Sequence, residues 1–159
     1  MTYTFRPMSQ VQAETIAFQW RYDDDYAFYN MDADEEDLAA FLDAKQRGDK
    51  TFAIFDDDEL VGFVILQFSD AQTVEIGLGM RPDRTGNGQG RTFITSILHW
   101  IETTYGPKTV TLAVATFNER AIRVYRACGF ESTGTFLQET NGGTYLFQSM
   151  SRSSAQDRQ

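Results

Sequence analysis

The chain has 159 residues, 42% of them hydrophobic and 14% aromatic, which excludes a disordered polymer and suffices for one core of ordinary size. A formal net charge of −9 and a pI near 4.5 leave no basic footprint for nucleic acid. No apolar run approaches the roughly 20 residues of a membrane-spanning helix, the start Met-Thr-Tyr-Thr-Phe-Arg-Pro lacks a signal-peptide pattern, and the single Cys128 cannot form an internal disulfide. A soluble, cytoplasmic protein with no membrane partner is the expectation.

In chain order, Tyr3–Arg6 reads as a short strand ended by Pro7. Ser9 reads as the N-cap of a helix through Phe18 to Trp20, with Val11, Ile16 and Trp20 among its apolar positions. Residues 21–34 mix acids with aromatics without a period and read as a long irregular loop. Glu35–Arg47 reads as one helix closed by Gly48, with Leu38, Phe41 and Leu42 on one side. Thr51–Phe55 and Leu60–Phe68 form a hairpin rich in β-branched and aromatic residues, and Thr73–Met80 is a further strand. A helix from about Gln89 to Thr104 carries Phe93, Ile94, Ile97, Leu98 and Ile101 as its buried stripe, and Gly106-Pro107 stops it. Thr109–Val114 is a fifth strand, Asn118 caps a helix through Ala127 with Gly129 as its C′ residue, and a last hairpin turns through Asn141-Gly-Gly143. This order gives an α/β (α+β) fold with a mixed sheet, a single domain over residues 1–150, and a polar tail, 151–159, expected to be disordered.

Charge is unevenly spread. Residues 1–80 hold 17 acidic and 5 basic side chains, against 6 and 9 in residues 81–159. A basic second half suits an anionic cofactor and an acidic first half a cationic acceptor, although solvated surface acids would look the same.

The densest glycine stretch is Arg84-Thr-Gly86-Asn-Gly88-Gln-Gly90-Arg91, between a strand and a helix. Glycines there allow a tight turn that presents successive backbone N–H groups to an anion at the positive end of the helix, or simply start the helix. The nucleotide motifs fail: a P-loop needs Lys and Ser/Thr after its last glycine, where Arg91 and Thr92 stand, and GxGxxG needs glycine at Arg91. Further on, Asn118 and Tyr125 lie two helical turns apart on one face with Ala121 and Ile122. By themselves they are better explained as an N-cap and a core tyrosine than as ligand-binding residues. His99 stands alone on its helix, Cys128 has no partner histidine, and no metal-ligand spacing is visible.

Two motifs together resemble the GNAT N-acetyltransferase superfamily. Thr85-Gly-Asn-Gly-Gln-Gly90 is similar to its Q/R-x-x-G-x-G/A motif, with Thr85 where Gln or Arg is usual. Asn118-Glu-Arg-Ala-Ile-Arg-Val-Tyr125-Arg-Ala-Cys-Gly-Phe130 matches N-x-x-A-I-x-x-Y-x-x-x-G-F at every defined position. The resemblance covers roughly residues 3–150 and implies a mostly antiparallel sheet of about seven strands flanked by about four helices, with acetyl-CoA as the acetyl donor. It implies that Thr85, Gly86, Asn87, Gly88, Gln89, Gly90 and Arg91 hold the pyrophosphate, that Leu78, Gly79 and Met80 offer backbone groups to pantetheine and the thioester carbonyl, and that Asn118 contacts the pantetheine arm. Tyr125 would stand beside the sulfur, placed to protonate the departing thiolate. The strand-five glutamate of some members is missing, since Leu112-Ala-Val114 occupies that stretch, and Glu75 is the remaining candidate base. Acceptor recognition would fall to Trp20–Asp34 and Gln138–Gly143.

The implied activity is direct transfer of an acetyl group to a primary amine. The acceptor is expected to be a small cationic metabolite, with a protein N-terminus or lysine as the alternative. A non-catalytic acyl-CoA sensor and an interaction domain without cofactor are the competing classes. Many members of the superfamily are dimers, which makes a homodimer an expectation too.

Overall fold

The computed structural model describes residues 3–85 and 88–154. Seven strands, β1 (Tyr3–Pro7), β2 (Thr51–Asp56), β3 (Glu59–Asp70), β4 (Thr73–Met80), β5 (Thr109–Ala115), β6 (Glu131–Thr140) and β7 (Gly143–Ser153), form one sheet in the order β1-β2-β3-β4-β5-β7-β6. Among the described residues five α-helices flank it: α1 (Gln10–Gln19), α2 (Glu35–Leu42), α3 (Ala44–Arg47), α4 (Gly90–Thr104) and α5 (Glu119–Ala127). The β1–β2, β2–β3 and β5–β7 pairs are antiparallel and β4–β5 is parallel. This is the mixed, mostly antiparallel architecture expected. Pro7, which has no N–H to donate, sits on the edge strand β1.

The chain divides into two compact units. The first comprises the residues up to Ile65 with Leu78–Arg84 and Glu139–Gly143. Its helical core gathers Ala13, Ile16, Ala17, Trp20 and Phe41 against Leu38, Leu42, Phe63 and Ile65. Ser9 caps α1 in a full capping box with Gln12. The buried stripe of α1 runs through Ala13, Ile16, Ala17 and Trp20, whereas Val11 is 73% exposed and Phe18 52%, so Val11 belongs to the solvent face.

The helix expected over residues 35–47 is two. Asp43 takes an extended backbone between them and its carboxylate accepts from Lys45 N, so one side chain ends α2 and caps α3. The irregular stretch 21–34 is ordered as two 3-10 turns, Asp24–Tyr29 and Met31–Ala33.

The second unit comprises Leu66–Gly77, Thr85–Gln138 and the residues from Thr144 onward. All five expected stripe residues of α4 are buried, as are Val74, Ile76, Val110, Leu112, Ile122, Phe130 and Met150. Strand β7 runs through Ser153, and buried Ser154 donates its N–H to Lys108 O at 2.7 Å. The polar tail therefore starts later than expected, and what remains of it, 155–159, lies outside the described residues.

Candidate active site

In the second unit, the glycine-rich stretch leads directly into α4. Gly88 has φ +75°, the left-handed region open to glycine, and a Cβ there would meet nothing within 4 Å, so the backbone angle and not space demands glycine. Gly90 begins α4, and a Cβ on it would stand 3.4 Å from Val124 Cγ2 on α5. The first helical bond runs from Phe93 N to Gln89 O at 2.9 Å, which leaves the amides of Gly90, Arg91 and Thr92 without acceptors inside the helix. The first turn carries no acidic side chain, Gln89 makes no capping bond, and Arg91 is exposed. Thr85 is half-buried; Gly86 and Asn87 lie outside the described residues.

The β4–β5 ladder is short. Its register pairs Thr73 with Thr109, Val74 with Val110 and Glu75 with Thr111, and stops there, although β5 runs on to Ala115. Among the described residues β5 from Leu112 onward is paired with β7 alone, Leu112 to Met150 and Ala115 to Phe147, so its backbone has a free edge along its last four residues. Glu75 sits in the last paired rung on the face opposite buried Val74 and Ile76, exposed to solvent. It precedes Met80 by five residues, about 16 Å of strand.

Helix α5 starts where β5 ends. Asn118 Oδ1 accepts from Ala121 N at 3.2 Å, and Asn118 N donates to Ala115 O at 3.0 Å, so the motif's asparagine is an N-cap that ties the helix to the strand. The other end closes in a Schellman motif around Gly129 at φ +99°: Phe130 N donates to Tyr125 O and Gly129 N to Arg126 O. The Tyr125 and Phe130 rings meet edge to face at 5.8 Å. Tyr125 is half-buried and Phe130 only 2% exposed. The spacing Y-x-x-x-G-F is thereby explained: the glycine turns the chain and the phenylalanine braces the tyrosine.

Cys128, whose Sγ lies 3.8 Å from Thr95 Oγ1 and 3.9 Å from Arg91 O, is half-buried, and His99 is exposed. Among the described residues no cluster of His, Cys, Asp and Glu could hold a metal ion.

In the first unit, Leu78, Gly79 and Met80 end β4. A Cβ on Gly79 would stand 2.3 Å from Phe63 Cε1, so the ring of Phe63, itself packed on Trp20 and Phe41, fills the place of a side chain. The carbonyl of Met80 accepts from the phenol of Tyr22 at 2.6 Å. Burial pushes that phenol's pKa up, which keeps it a donor. Sequence reasoning missed Tyr22; only its place in an acidic, aromatic loop hinted at a role.

The two arginines before the glycine loop are committed elsewhere. Arg84 binds Asp56 at 3.1 Å and Glu59 at 2.7 Å, and Arg81 binds Asp83 at 2.6 Å. The loop acids are partly committed as well. Arg21 grips Asp32 with two bonds of 2.6 and 2.8 Å. Asp34 caps α2 through Asp37 N and accepts from Thr140 Oγ1 and Asn141 N, while Asn141 Nδ2 donates to Phe28 O. The expected acceptor segments, residues 20–34 and the tip of the last hairpin, are thus fastened to each other. The Asn141 amide, first among its partners, holds the Asp34 carboxyl below the ordinary range.

A mixed seven-stranded sheet with a truncated parallel ladder, a glycine-led helix after β4 and an Asn-capped helix after β5 define an acyl-CoA-dependent acetyltransferase fold. A family model described as an acetyltransferase (GNAT) domain matches residues 3–131, and the chain belongs to that family. It is accordingly an N-acetyltransferase, and acetyl-CoA is its donor. Solved structures agree in fold. A chimeric spermidine N-acetyltransferase from Vibrio cholerae and hSSAT is 22% identical with TM-score 0.74, covering 98% of both chains. The Vibrio cholerae spermidine N-acetyltransferase in complex with CoA and spermine is 22% identical with TM-score 0.72, covering 94% of both. A GNAT acetyltransferase from Bacillus anthracis is 18% identical with TM-score 0.74, covering 96% of this chain and 95% of that one. No curated protein sequence matches the chain. No helix among the described residues is long and apolar enough to cross a membrane.

Proposed function

We propose that the protein transfers acetyl directly from acetyl-CoA to the primary amine of a small cationic acceptor, a polyamine or similar metabolite, in the cytoplasm. The observation that carries the donor side is the start of α4, where Gly88 at φ +75° precedes three amides that lack helical acceptors and the first turn holds no acidic side chain. In this reading the amides of Gly88–Arg91, with Thr85, Gly86 and Asn87, hold the pyrophosphate. Pantetheine uses the free edge of β5 with Asn118, and Leu78, Gly79 and Met80 offer backbone N–H groups to the thioester carbonyl. Tyr125 protonates the departing thiolate.

The acceptor loses a proton to solvent, with Glu75 contributing only through intervening water, since its carboxylate sits exposed in the paired part of β4. On the acceptor side, residues 20–34 supply the carboxylates. Asp32 and Asp34 are spent on Arg21 and on the last hairpin, which leaves Asp23 as an exposed acid for an ammonium group among the described side chains of that segment. The spermine complex of the Vibrio cholerae enzyme supports this class of acceptor.

Thiol release from acetyl-CoA tests it, with spermidine, spermine, free amino acids and N-terminal peptides as acceptors. Polyamine-dependent release is expected. Release with peptides alone would replace the acceptor class, and binding of acetyl-CoA without release for any amine would favour a sensor. Sedimentation of the purified chain tests the homodimer.

A further inference from the structure

Among the described residues two buried side-chain polar atoms have no hydrogen-bond partner, and both belong to the second unit: Gln89 Oε1 and Gln148 Nε2. A buried amide hydrogen without an acceptor is costly, so native folds leave one where something else completes it. Gln89 is the N-cap of α4, beside the anion cradle. Gln148 has no part in any motif.

Its place follows from register. Gln148 pairs with Val114, Met150 with Leu112 and Arg152 with Val110. Val110, Leu112, Val114 and Met150 are all buried, so Gln148 stands on the inward face with them. Arg152, on the same face, reaches Glu102 of α4 at 2.8 Å and the carbonyl of Cys128 after α5 at 2.9 Å, which shows that the two helices cover this face. Val114 lies beyond Thr111, where β5 has lost β4. Gln148 is therefore one strand's width, about 4.8 Å, from an open strand edge, with an unsatisfied donor under the helix that begins at Asn118.

We infer that Gln148 Nε2 is a binding group for the acyl-pantetheine arm and donates to one of its carbonyl oxygens. The inference rests on the donor reading above and adds a residue to it. The pantetheine arm carries amide N–H and C=O groups, and an acceptor orphaned at the cradle with a donor orphaned at the strand edge is the complementary pair.

Calorimetric affinities test it for acetyl-CoA, CoA and 3′,5′-ADP, which has no pantetheine, on the wild type, Gln148→Met and Gln148→Leu, with the ligand-free melting temperature of each. Methionine keeps the length of glutamine and removes the donor. Affinity for acetyl-CoA is expected to fall about 3- to 10-fold, with 3′,5′-ADP unchanged and ligand-free stability equal or higher. An equal loss for CoA assigns an amide carbonyl, and a loss for acetyl-CoA alone assigns the thioester. Unchanged affinities, with or without a lower melting temperature, would overturn the inference and leave Gln148 to a buried water. A wild type that binds none of the three ligands would instead overturn the donor reading itself.

Discussion

The Tyr125 and Phe130 rings meet edge to face at 5.8 Å across a helix stop in which Phe130 N also donates to Tyr125 O. The proposed general acid is thus held by its own helix terminus. Removing only the phenolic oxygen, Tyr125→Phe keeps the ring contact and should lower turnover by about 10²-fold or more with KM for acetyl-CoA little changed. Turnover near the wild-type value in steady-state assays would return Tyr125 to packing. Phe130→Ala should cost about 3–5 kcal/mol by denaturant unfolding, because a fully buried ring leaves a cavity.

Glu75 offers the opposite expectation. Its carboxylate is exposed in the last β4–β5 rung, and the role proposed for it runs through intervening water. Glu75→Gln should change turnover less than about 10-fold. A larger fall in steady-state turnover would make it the base.

Gly79 tests the fit of β4 to its neighbour. A methyl group there overlaps Phe63 Cε1 at 2.3 Å, inside the packed set of Phe63, Trp20 and Phe41. Gly79→Ala should therefore cost about 1–3 kcal/mol. Phe63→Leu, which shortens the offending ring, should relieve part of that cost in a double-mutant cycle. Additive effects would show that the ring does not occupy the missing side chain's place.

The contrast between these sites explains what the sequence made legible. The glycine loop, the Asn118 cap and the Gly129 stop are local: each is a few residues whose backbone needs are written in their own side chains. The stripe of α4 was legible for the same reason of short period. The break at Asp43 was signalled by a good N-capping residue inside an otherwise helical pattern, and lost to that pattern. What stayed hidden depends on partners far along the chain. Tyr22 and Met80 are 58 positions apart, Asp34 and Asn141 are 107. No periodicity marks Gln148, which matters through a strand pairing that the sequence does not spell out.

At the cradle, Gly88→Val forces a β-branched residue to φ +75° in a place where space is not limiting. The strain, about 1–2 kcal/mol, should be relieved by a change of loop path, so the global melting temperature should move little while acetyl-CoA affinity falls at least about 10-fold. Unchanged affinity by calorimetry would separate this loop from the pyrophosphate.

Asp34 joins α2 to the last hairpin, and its carboxyl is held below the ordinary value of 3.8 chiefly by the Asn141 amide and then by Asp37 N. A folded-state value below the unfolded one means that the ionised form stabilises the fold. That contribution is complete above the unfolded value and is lost as pH falls below 3.8 through the lower folded value. Asp34→Asn should therefore be less stable than wild type at neutral pH, and the gap should narrow as pH drops below about 4. Asp32, lowered by its bond to Arg21, titrates in the same window, so the comparison is made in an Asp32→Asn background as well. A gap that stays constant down to pH 3 in both backgrounds would show that the Asp34 carboxylate is not what fastens the hairpin to the loop.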